Sequence, residues 1–337
     1  MKQTDRPSML VDPAPRSVSS LFTPAHLREL ESLVHLVPAD QIEEHLPSLT
    51  YVMGQTDLDR SRLERAGKLK AIFNVEGNFL PNIDYEYCFE RGIHVLNISP
   101  VFAQAVAELG LGMALDLARG ITRSHGQFRT GEEVYGLESN QRMFTIAGRT
   151  MGLIGLGDLG TALLRLLKPF RGRLLVHDPW IPAGIIEEAG AEPVELEYLL
   201  KNSHLLFVTA SVTSENEGFL GRKHFNLLQE DAIFVLLSRA AVVDFDELTR
   251  AATGGRIRVA TDVFPREPLP PDHPIRKADN ALLSAHRAGA LEEVFFLMGQ
   301  YILDDLRLMN RGLPPRRCKR AERETVGRLR SNPVLKS

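Results

Sequence analysis

Residues Met151 to Gly160 read Met-Gly-Leu-Ile-Gly-Leu-Gly-Asp-Leu-Gly, a short apolar run flowing into a GxGxxG loop, and Asp178 follows 18 residues after the last of its glycines. This feature constrains the fold most, because such a loop belongs where a strand gives way to a helix. Gly155 permits the tight turn out of the strand. Gly157 lets the backbone approach a pyrophosphate, and Gly160 lets the following helix pack close to the sheet. The amides of Asp158 and Leu159 open that helix, where unpaired N–H groups and the helix dipole favour negative charge. Asp178 can accept hydrogen bonds from ribose hydroxyls.

Three glycines in six residues also occur in ordinary turns, so context decides. Thr150 to Ile154 reads as a buried strand, Thr161 to Lys168 as an apolar helix, and Arg173 to His177 as a second strand ending at Asp178. Strand, loop, helix, strand and acid fall in the order that a dinucleotide site requires. The cofactor expected is NAD rather than NADP, because Asp178 would repel a 2′-phosphate and neither Pro179 nor Trp180 offers a cation.

At 337 residues the chain exceeds the roughly 250 to 300 residues that a single core serves, so two domains are expected. A net charge of -3 argues against a general nucleic-acid binder. The exception is local: Arg316, Arg317, Lys319, Arg320, Arg323, Arg328 and Arg330 crowd the C-terminal tail, which reads as a solvated or loosely packed end. Only Cys88 and Cys318 are present, which suggests neither a disulfide framework nor a thiolate metal site, and no metal is expected. No apolar run suggests the ~20 residues of a membrane span. The N-terminus lacks the apolar centre of a signal peptide. A cytoplasmic protein with no membrane or nucleic-acid partner is the expectation. Residues 1–20, with three prolines and several serines, are expected to be extended or mobile.

Leu27, Leu30, Leu33 and Val34 fall at helical spacing within His26 to His35, while Thr50 to Val52, Ala71 to Val75 and the stretch reaching Asn97 suggest strands. The first hundred residues therefore read as an α/β unit of their own. Ala105 to Arg119 forms a long apolar helix containing Gly110 and Gly112. Each glycine costs about 1 kcal/mol relative to alanine, which points to a tight contact with the other domain or a second subunit. Beyond Asp178, apolar strands at Leu205 to Val208, Ala232 to Leu237, Arg258 to Ala260 and Ala281 to Leu283 alternate with helical stretches. This is the pattern of a parallel sheet covered on both faces, whose ligands bind beyond the carboxyl ends of the strands. Ser238-Arg239, Asp262 and His286 follow such strands.

Ser238-Arg239, Asp262-Val263-Phe264-Pro265-Arg266-Glu267-Pro268 and Ala285-His286-Arg287-Ala288-Gly289, with Val106-Ala107-Glu108 at the head of the long helix, resemble the signatures of the D-isomer-specific 2-hydroxyacid dehydrogenases. The resemblance runs from about Ala71 to Gly289. It implies an α/β fold of two Rossmann-like domains: a flavodoxin-like substrate domain split between residues 1–100 and 289–337, and a central doubly wound parallel NAD-binding domain over residues 101–288. It also implies a homodimer through the helix Ala105 to Arg119.

Residue chemistry fits that implication. Hydride transfer to a 2-oxo acid leaves an alkoxide that needs a proton, and His286 is the candidate to supply it. Glu267, which in the family pairs with the histidine, would orient the imidazole and favour its charged form. Arg239 offers a fork of donors for the substrate carboxylate and carbonyl. A structural ion pair between Arg239 and Glu267 is the blander alternative. For Asp262, expected by resemblance at the nicotinamide amide, the alternative is a cap or turn. Ser238 completes the cofactor set.

Three departures from the family pattern stand out. Ala240 replaces the common glycine, and Thr209 and Ser211 stand where a His-x-Pro pair is frequent, leaving Thr209 as the expected cofactor contact. In the carboxylate-binding loop Val75-Glu76-Gly77-Asn78, Glu76 stands where a small residue is usual. The amides of Glu76 and Gly77 remain candidate carboxylate donors. An inward Glu76 side chain would repel a simple acid and favour a substrate with a hydroxyl or cationic group. The expected activity is interconversion of a 2-oxo acid and a (R)-2-hydroxy acid with NAD. Formate dehydrogenase chemistry fits less well, since that branch pairs its histidine with glutamine. A phosphonate or phosphite substrate stays open, and so does an NAD(H)-sensing regulatory protein, as in the family's corepressor branch.

Overall fold

The structure is a computed structural model that describes residues 6–330. It divides into two compact units, one taking in the chain up to Phe102 together with the chain from Ala290 onward, the other Ala103–Gly289.

The sheet of the first unit is built from β1 (Ser8–Asp12), β2 (His35–Pro38), β3 (Leu49–Gly54), β4 (Ala71–Asn74) and β5 (His94–Asn97), all parallel, in the order β5-β4-β3-β1-β2. The chain after β1 goes to one side to make β2 and then to the other to make β3, so the switch point lies between β1 and β3. Of the two expectations for the N-terminal segment, extended or mobile, β1 is the extended one, and it is ordered. Met9 and Leu10 are fully buried, and the strand is clamped on both edges by β2 and β3. Residues 1–5, included in that expectation, lie outside the described residues. The helix Val18–Leu21, capped by the Ser17 hydroxyl, follows.

The basic tail is also more ordered than its charge suggests. Asp305, fully buried on the helix Glu292–Met309, accepts hydrogen bonds from the amides of Arg316 (2.6 Å), Arg317 (2.9 Å) and Cys318 (2.9 Å). This turn delivers Lys319–Arg320 as an antiparallel strand against β5. Arg317 then stacks over Tyr301 and pairs with Asp304, while Arg323 pairs with Glu86. Local counter-charges and a buried cap thus order the backbone of a segment whose basic side chains stay largely solvated.

In the second unit β6 (Met151–Ile154), β7 (Leu174–His177), β8 (Glu192–Pro193), β9 (Leu205–Val208), β10 (Ile233–Leu236), β11 (Arg258–Thr261) and β12 (Ala281–Leu283) form a wholly parallel sheet of order β12-β11-β10-β9-β6-β7-β8. Every residue of β6, β9, β10 and β11 is buried. That continuous burial explains why β6, β9 and β10 read as unbroken apolar runs rather than alternating ones, while β11 carries Arg258 and Thr261 at its ends. The helix Asp158–Leu167 buries Gly160, Ala162, Leu163, Leu164 and Leu167, one helical face laid against this sheet.

The long helix begins earlier than expected and spans Ser99–Arg119. At 21 residues it is long and apolar enough to cross a membrane by length and composition. This corrects the reading that no stretch is. Ala107, Met113, Ala114 and Ala118 nevertheless lie in the second unit's core, which accounts for the apolar character of that face. A Cβ on Gly110 would stand 2.3 Å from Leu237 Cδ1, so its tight contact is made within its own unit, whereas Gly112 faces open space.

Candidate active site

Strand register decides where the site falls. Ile154 is paired with His177 and Val208, Val208 with Leu236, Leu236 with Thr261, and Thr261 with Leu283. Six strands therefore end in line, and the residues leaving them emerge along one edge. Gly155, Asp178, Thr209 and Asp262 are each the first residue past a strand, Ser238 and Arg239 follow β10 by two and three positions, and His286 follows β12 by three. This edge contains the switch point between β6 and β9, the place where an open α/β sheet binds its ligand.

At the glycine loop the three glycines have three separate reasons. Gly155 has φ +96° and its absent Cβ would lie 2.7 Å from the Ala210 backbone. Gly160 passes so close to the turn that a Cβ would lie 2.3 Å from the Gly155 carbonyl oxygen. Gly157, the N-cap of the helix, has nothing within 4 Å of its missing Cβ, which leaves open backbone in front of the helix amides. Asp158 and Leu159 form the first turn. Asp178 accepts from the Leu156 amide at 2.7 Å through one oxygen and from the Trp180 amide at 2.9 Å through the other. Each oxygen keeps a lone pair for a further donor.

Thr209 braces this loop: its hydroxyl donates to the Gly155 carbonyl at 2.6 Å, with the Ile154 carbonyl at 3.2 Å. Its one proton is thus committed to the backbone. Ser238 is buried, and its Oγ is without a hydrogen-bond partner among the described residues. An orphaned buried hydroxyl on the same sheet edge as an open glycine and a row of helix amides is a donor set that a dinucleotide fits.

Further along the edge, Glu267 is held from two sides. Its Oε1 accepts from the Phe264 amide at 3.0 Å, and its Oε2 lies 2.7 Å from His286 Nδ1. The Glu267 carboxylate is therefore engaged with the histidine. An ionised Glu267 makes Nδ1 the protonated nitrogen, which leaves Nε2 as the atom that can carry a proton to a ligand. The imidazole is 44% exposed, as a group that must meet a ligand should be. His286 also has φ +48°, a left-handed conformation uncommon for a residue with a Cβ. Asp262 fixes it there. The Asp262 carbonyl accepts from the His286 amide at 2.8 Å, and its almost fully buried carboxylate accepts from the amides of Arg287 (3.1 Å) and Ala288 (2.9 Å). The turn role was the alternative reading for this residue, and the geometry displays it directly. Arg239, partly buried in extended backbone, donates from Nη1 to the Ser238 carbonyl at 2.7 Å.

In the first unit the Glu76 amide donates to Asn74 Oδ1 at 3.0 Å, so this candidate carboxylate donor is already engaged, and Asn74 Nδ2 ties down the Asn78 carbonyl at 2.8 Å. Gly77 packs beneath the Phe102 ring. The Glu76 side chain does turn inward, but it is not a lone charge. Arg16 meets it through two hydrogen bonds, Nε to Oε1 at 3.1 Å and Nη2 to Oε2 at 3.0 Å. Sequence reasoning missed Arg16. The available signal was indirect: a buried carboxylate requires a cationic partner.

A doubly wound sheet with a dinucleotide loop and a carboxylate-held histidine along one edge defines a nicotinamide-dependent oxidoreductase. The comparisons place it more closely. The family model for the D-isomer specific 2-hydroxyacid dehydrogenase, NAD binding domain, matches residues 111–288. A glyoxylate reductase of Thermococcus litoralis is 31% identical over 295 residues, covering 86% of this chain and 83% of its own. A D-3-phosphoglycerate dehydrogenase of Methanocaldococcus jannaschii is 31% identical over 267 residues, 77% of this chain; the matched part is 49% of that longer protein. The crystal structure of a phosphoglycerate oxidoreductase from Rhizobium etli superposes with a TM-score of 0.88 at 47% identity, over 95% of this chain and 100% of its own. The chain belongs to the D-isomer specific 2-hydroxyacid dehydrogenases, a family of NAD-dependent oxidoreductases. The regulatory alternative finds no support among these relatives.

Proposed function

We propose that this chain interconverts a 2-oxo acid and a (R)-2-hydroxy acid, with NAD held at the Gly155–Gly160 loop, Asp178 and Ser238. The observation that carries this reading is the 2.7 Å contact of Glu267 with His286 Nδ1, at the edge where the dinucleotide loop also opens. Bound NADH supplies the hydride. The chain's own residues do the rest: His286 Nε2 gives a proton to the oxygen that becomes the hydroxyl, and takes it back in the reverse direction. Glu267 holds the ring in one tautomer and stabilises the imidazolium, and Arg239 binds the carboxylate and polarises the carbonyl. Asp262 acts as a positioning residue through the His286 turn. The names of the relatives favour two substrate types to test, glyoxylate and the phosphorylated oxo acid formed by oxidising 3-phosphoglycerate.

We also read the protein as a cytoplasmic homodimer built on the helix from Ala105 to Arg119. Support for the dimer comes from the apolar side chains left exposed just beyond that helix, with Phe128 at 63%, Tyr135 at 77% and Leu137 at 85%. Light scattering that finds a monomer would remove that part of the reading.

The test is NADH oxidation, followed by its absorbance, with glyoxylate, hydroxypyruvate, pyruvate, the phosphorylated oxo acid and branched and aromatic members, beside His286→Ala. Turnover that falls by about 10²- to 10⁴-fold in the variant supports the assignment. Turnover that survives the substitution refutes His286 as the proton carrier.

A further inference from the structure

The first unit's own sheet meets the same topological condition as the second. Its strand order β2-β1-β3-β4-β5 places the topological switch between β1 and β3, and the chain leaving β1 there carries Arg16. This segment is firmly set. The Gln55 amide donates to the Asp12 carbonyl, Gln55 Nε2 donates to the Ala14 carbonyl at 3.1 Å, and the Thr56 hydroxyl donates to Asp12 Oδ2 at 2.9 Å. Arg16 Cζ lies over the Phe295 ring, 4.5 Å from its centroid, and its Nε and Nη2 face Glu76, which follows the end of β4. The Arg16 side chain is 18% exposed, and Nη1 makes no hydrogen bond among the described residues. Gln55 Oε1 is likewise buried and unpartnered at the same end of the sheet. The edge thus combines a preorganised cation with donors to spare, a buried acid that cancels its charge, and an unmet polar atom.

We propose that Arg16 is a specificity-determining residue that sets the charge of an acid-binding site at this edge. Glu76 alone would repel an anionic substrate. Paired with Arg16 it makes a neutral unit, and the remaining Nη1 donors reach the bound acid. The site therefore takes anionic 2-oxo acids, not the cationic or hydroxyl-bearing substrates that an isolated Glu76 would favour. This inference rests on the dehydrogenase reading for the identity of the acid.

The experiment compares wild type, Arg16→Gln, Glu76→Gln and the double variant. It reads KM and kcat for the best 2-oxo acid of the panel, the affinity of the NADH-loaded protein for oxamate by calorimetry, and the thermal midpoint. Arg16→Gln bares a buried carboxylate, so KM and the oxamate Kd rise about tenfold to a hundredfold, the scale of a unit-charge repulsion across roughly 8 Å at an effective dielectric of about 20. Glu76→Gln frees the cation, so both constants hold or fall. The double variant returns towards wild type. If Glu76→Gln weakens oxamate as much as Arg16→Gln, with matching losses of thermal midpoint, the pair is a structural brace and the proposal is overturned. An unchanged Kd in Arg16→Gln overturns it too. Should Arg16→Gln fail to fold, Arg16→Lys keeps the charge without the fork and retains more oxamate affinity than Arg16→Met; equality of those two overturns the idea. A protein that binds oxamate with this charge pattern yet reduces no 2-oxo acid refutes the dehydrogenase reading and leaves the charge-setting role standing. Turnover without the pattern does the reverse.

Discussion

Gly157 and Gly160 stand three residues apart in one loop, yet their replacement by alanine should damage different properties. In Gly160→Ala the new Cβ lies 2.3 Å from the Gly155 carbonyl oxygen and 3.1 Å from Thr209 Oγ1. Normal contact needs roughly 3.5 Å, and the nearer atom is backbone, so the helix Asp158–Leu167 must shift by about an ångström. Overpacking of this kind costs about 1–3 kcal/mol, and with a contact this short to backbone the upper part of that range applies, so that after alanine's better helix propensity returns about 1 kcal/mol a net loss of about 1–2 kcal/mol remains. For a unit of this size each kcal/mol moves the midpoint by about 2–4 °C, so the protein without cofactor should melt roughly 2–8 °C lower. Gly157→Ala meets nothing within 4 Å and needs no unusual φ, since Gly157 has φ -73°. Its cost without cofactor is limited to a poorer N-cap, about 1 kcal/mol at most. Its cost with cofactor is larger, because the methyl group occupies the face that a pyrophosphate approaches. NADH at about a hundred times its Kd stabilises the wild type by about 2.7 kcal/mol, and Gly157→Ala should lose most of that shift. Differential scanning fluorimetry with and without NADH reads both quantities. The reasoning fails if Gly157→Ala keeps the full NADH shift, or if Gly160→Ala melts with wild type in the absence of cofactor.

Asp178→Ala removes the acceptor at the expected ribose position, so NADH affinity should drop about tenfold, equivalent to about 1.4 kcal/mol. The preference over NADPH should narrow, and fluorescence titrations showing an unchanged NADH to NADPH ratio would count against this role. Asp305→Ala leaves three amides of the C-terminal turn without their buried acceptor, at about 1–3 kcal/mol apiece for those that water does not reach; urea unfolding should show a clear loss, and hydrogen exchange at Arg316 to Cys318 should accelerate. Burial, aided by Arg320, Arg149 and Lys223 respectively, holds the imidazoles of His94, His204 and His224 below their ordinary value of 6.5. The unfolded chain then binds protons that the folded chain refuses, so this contribution to stability is present above about pH 6.5 and lost as pH falls below it. A thermal midpoint that stays flat from about pH 7.5 to about pH 5.5 would contradict this.

Much of the second unit was legible because its signals are local. Four-residue apolar runs mark β6, β9 and β10, and the residues of interest are those that end them. Once strands are parallel and in register, position past a strand end becomes position along an edge. The assignments at Gly155, Asp178 and His286 were therefore geometric readings as much as chemical ones. β1 was hidden for the opposite reason. Pro7, Pro13 and Pro15 bracket a five-residue strand whose burial depends on β2 and β3 arriving later in the chain. The Asp305 cap shows the same limit, since nothing in the string Asp-Asp-Leu around it tells which carboxylate turns inward to collect three amides.

The Arg16–Glu76 pair carries that limit into function. Sixty residues separate the partners, and Arg16 lies in no motif; Glu76 entered the sequence reading only as a departure within its loop, a charge where a small residue is usual. Taken alone it argued for repulsion of acids. A carboxylate so deeply buried costs several kcal/mol unless it is paired, so the physical question was never whether it had a cation but where the cation came from. Strand order answers it: β3 is the only strand between β1 and β4, so the chain leaving β1 is close enough to reach across to the Glu76 carboxylate. The sign of the charge at this edge is thus a property of topology rather than of the loop that carries Glu76. A loop compared in isolation would show a bare negative charge where the folded chain holds an ion pair.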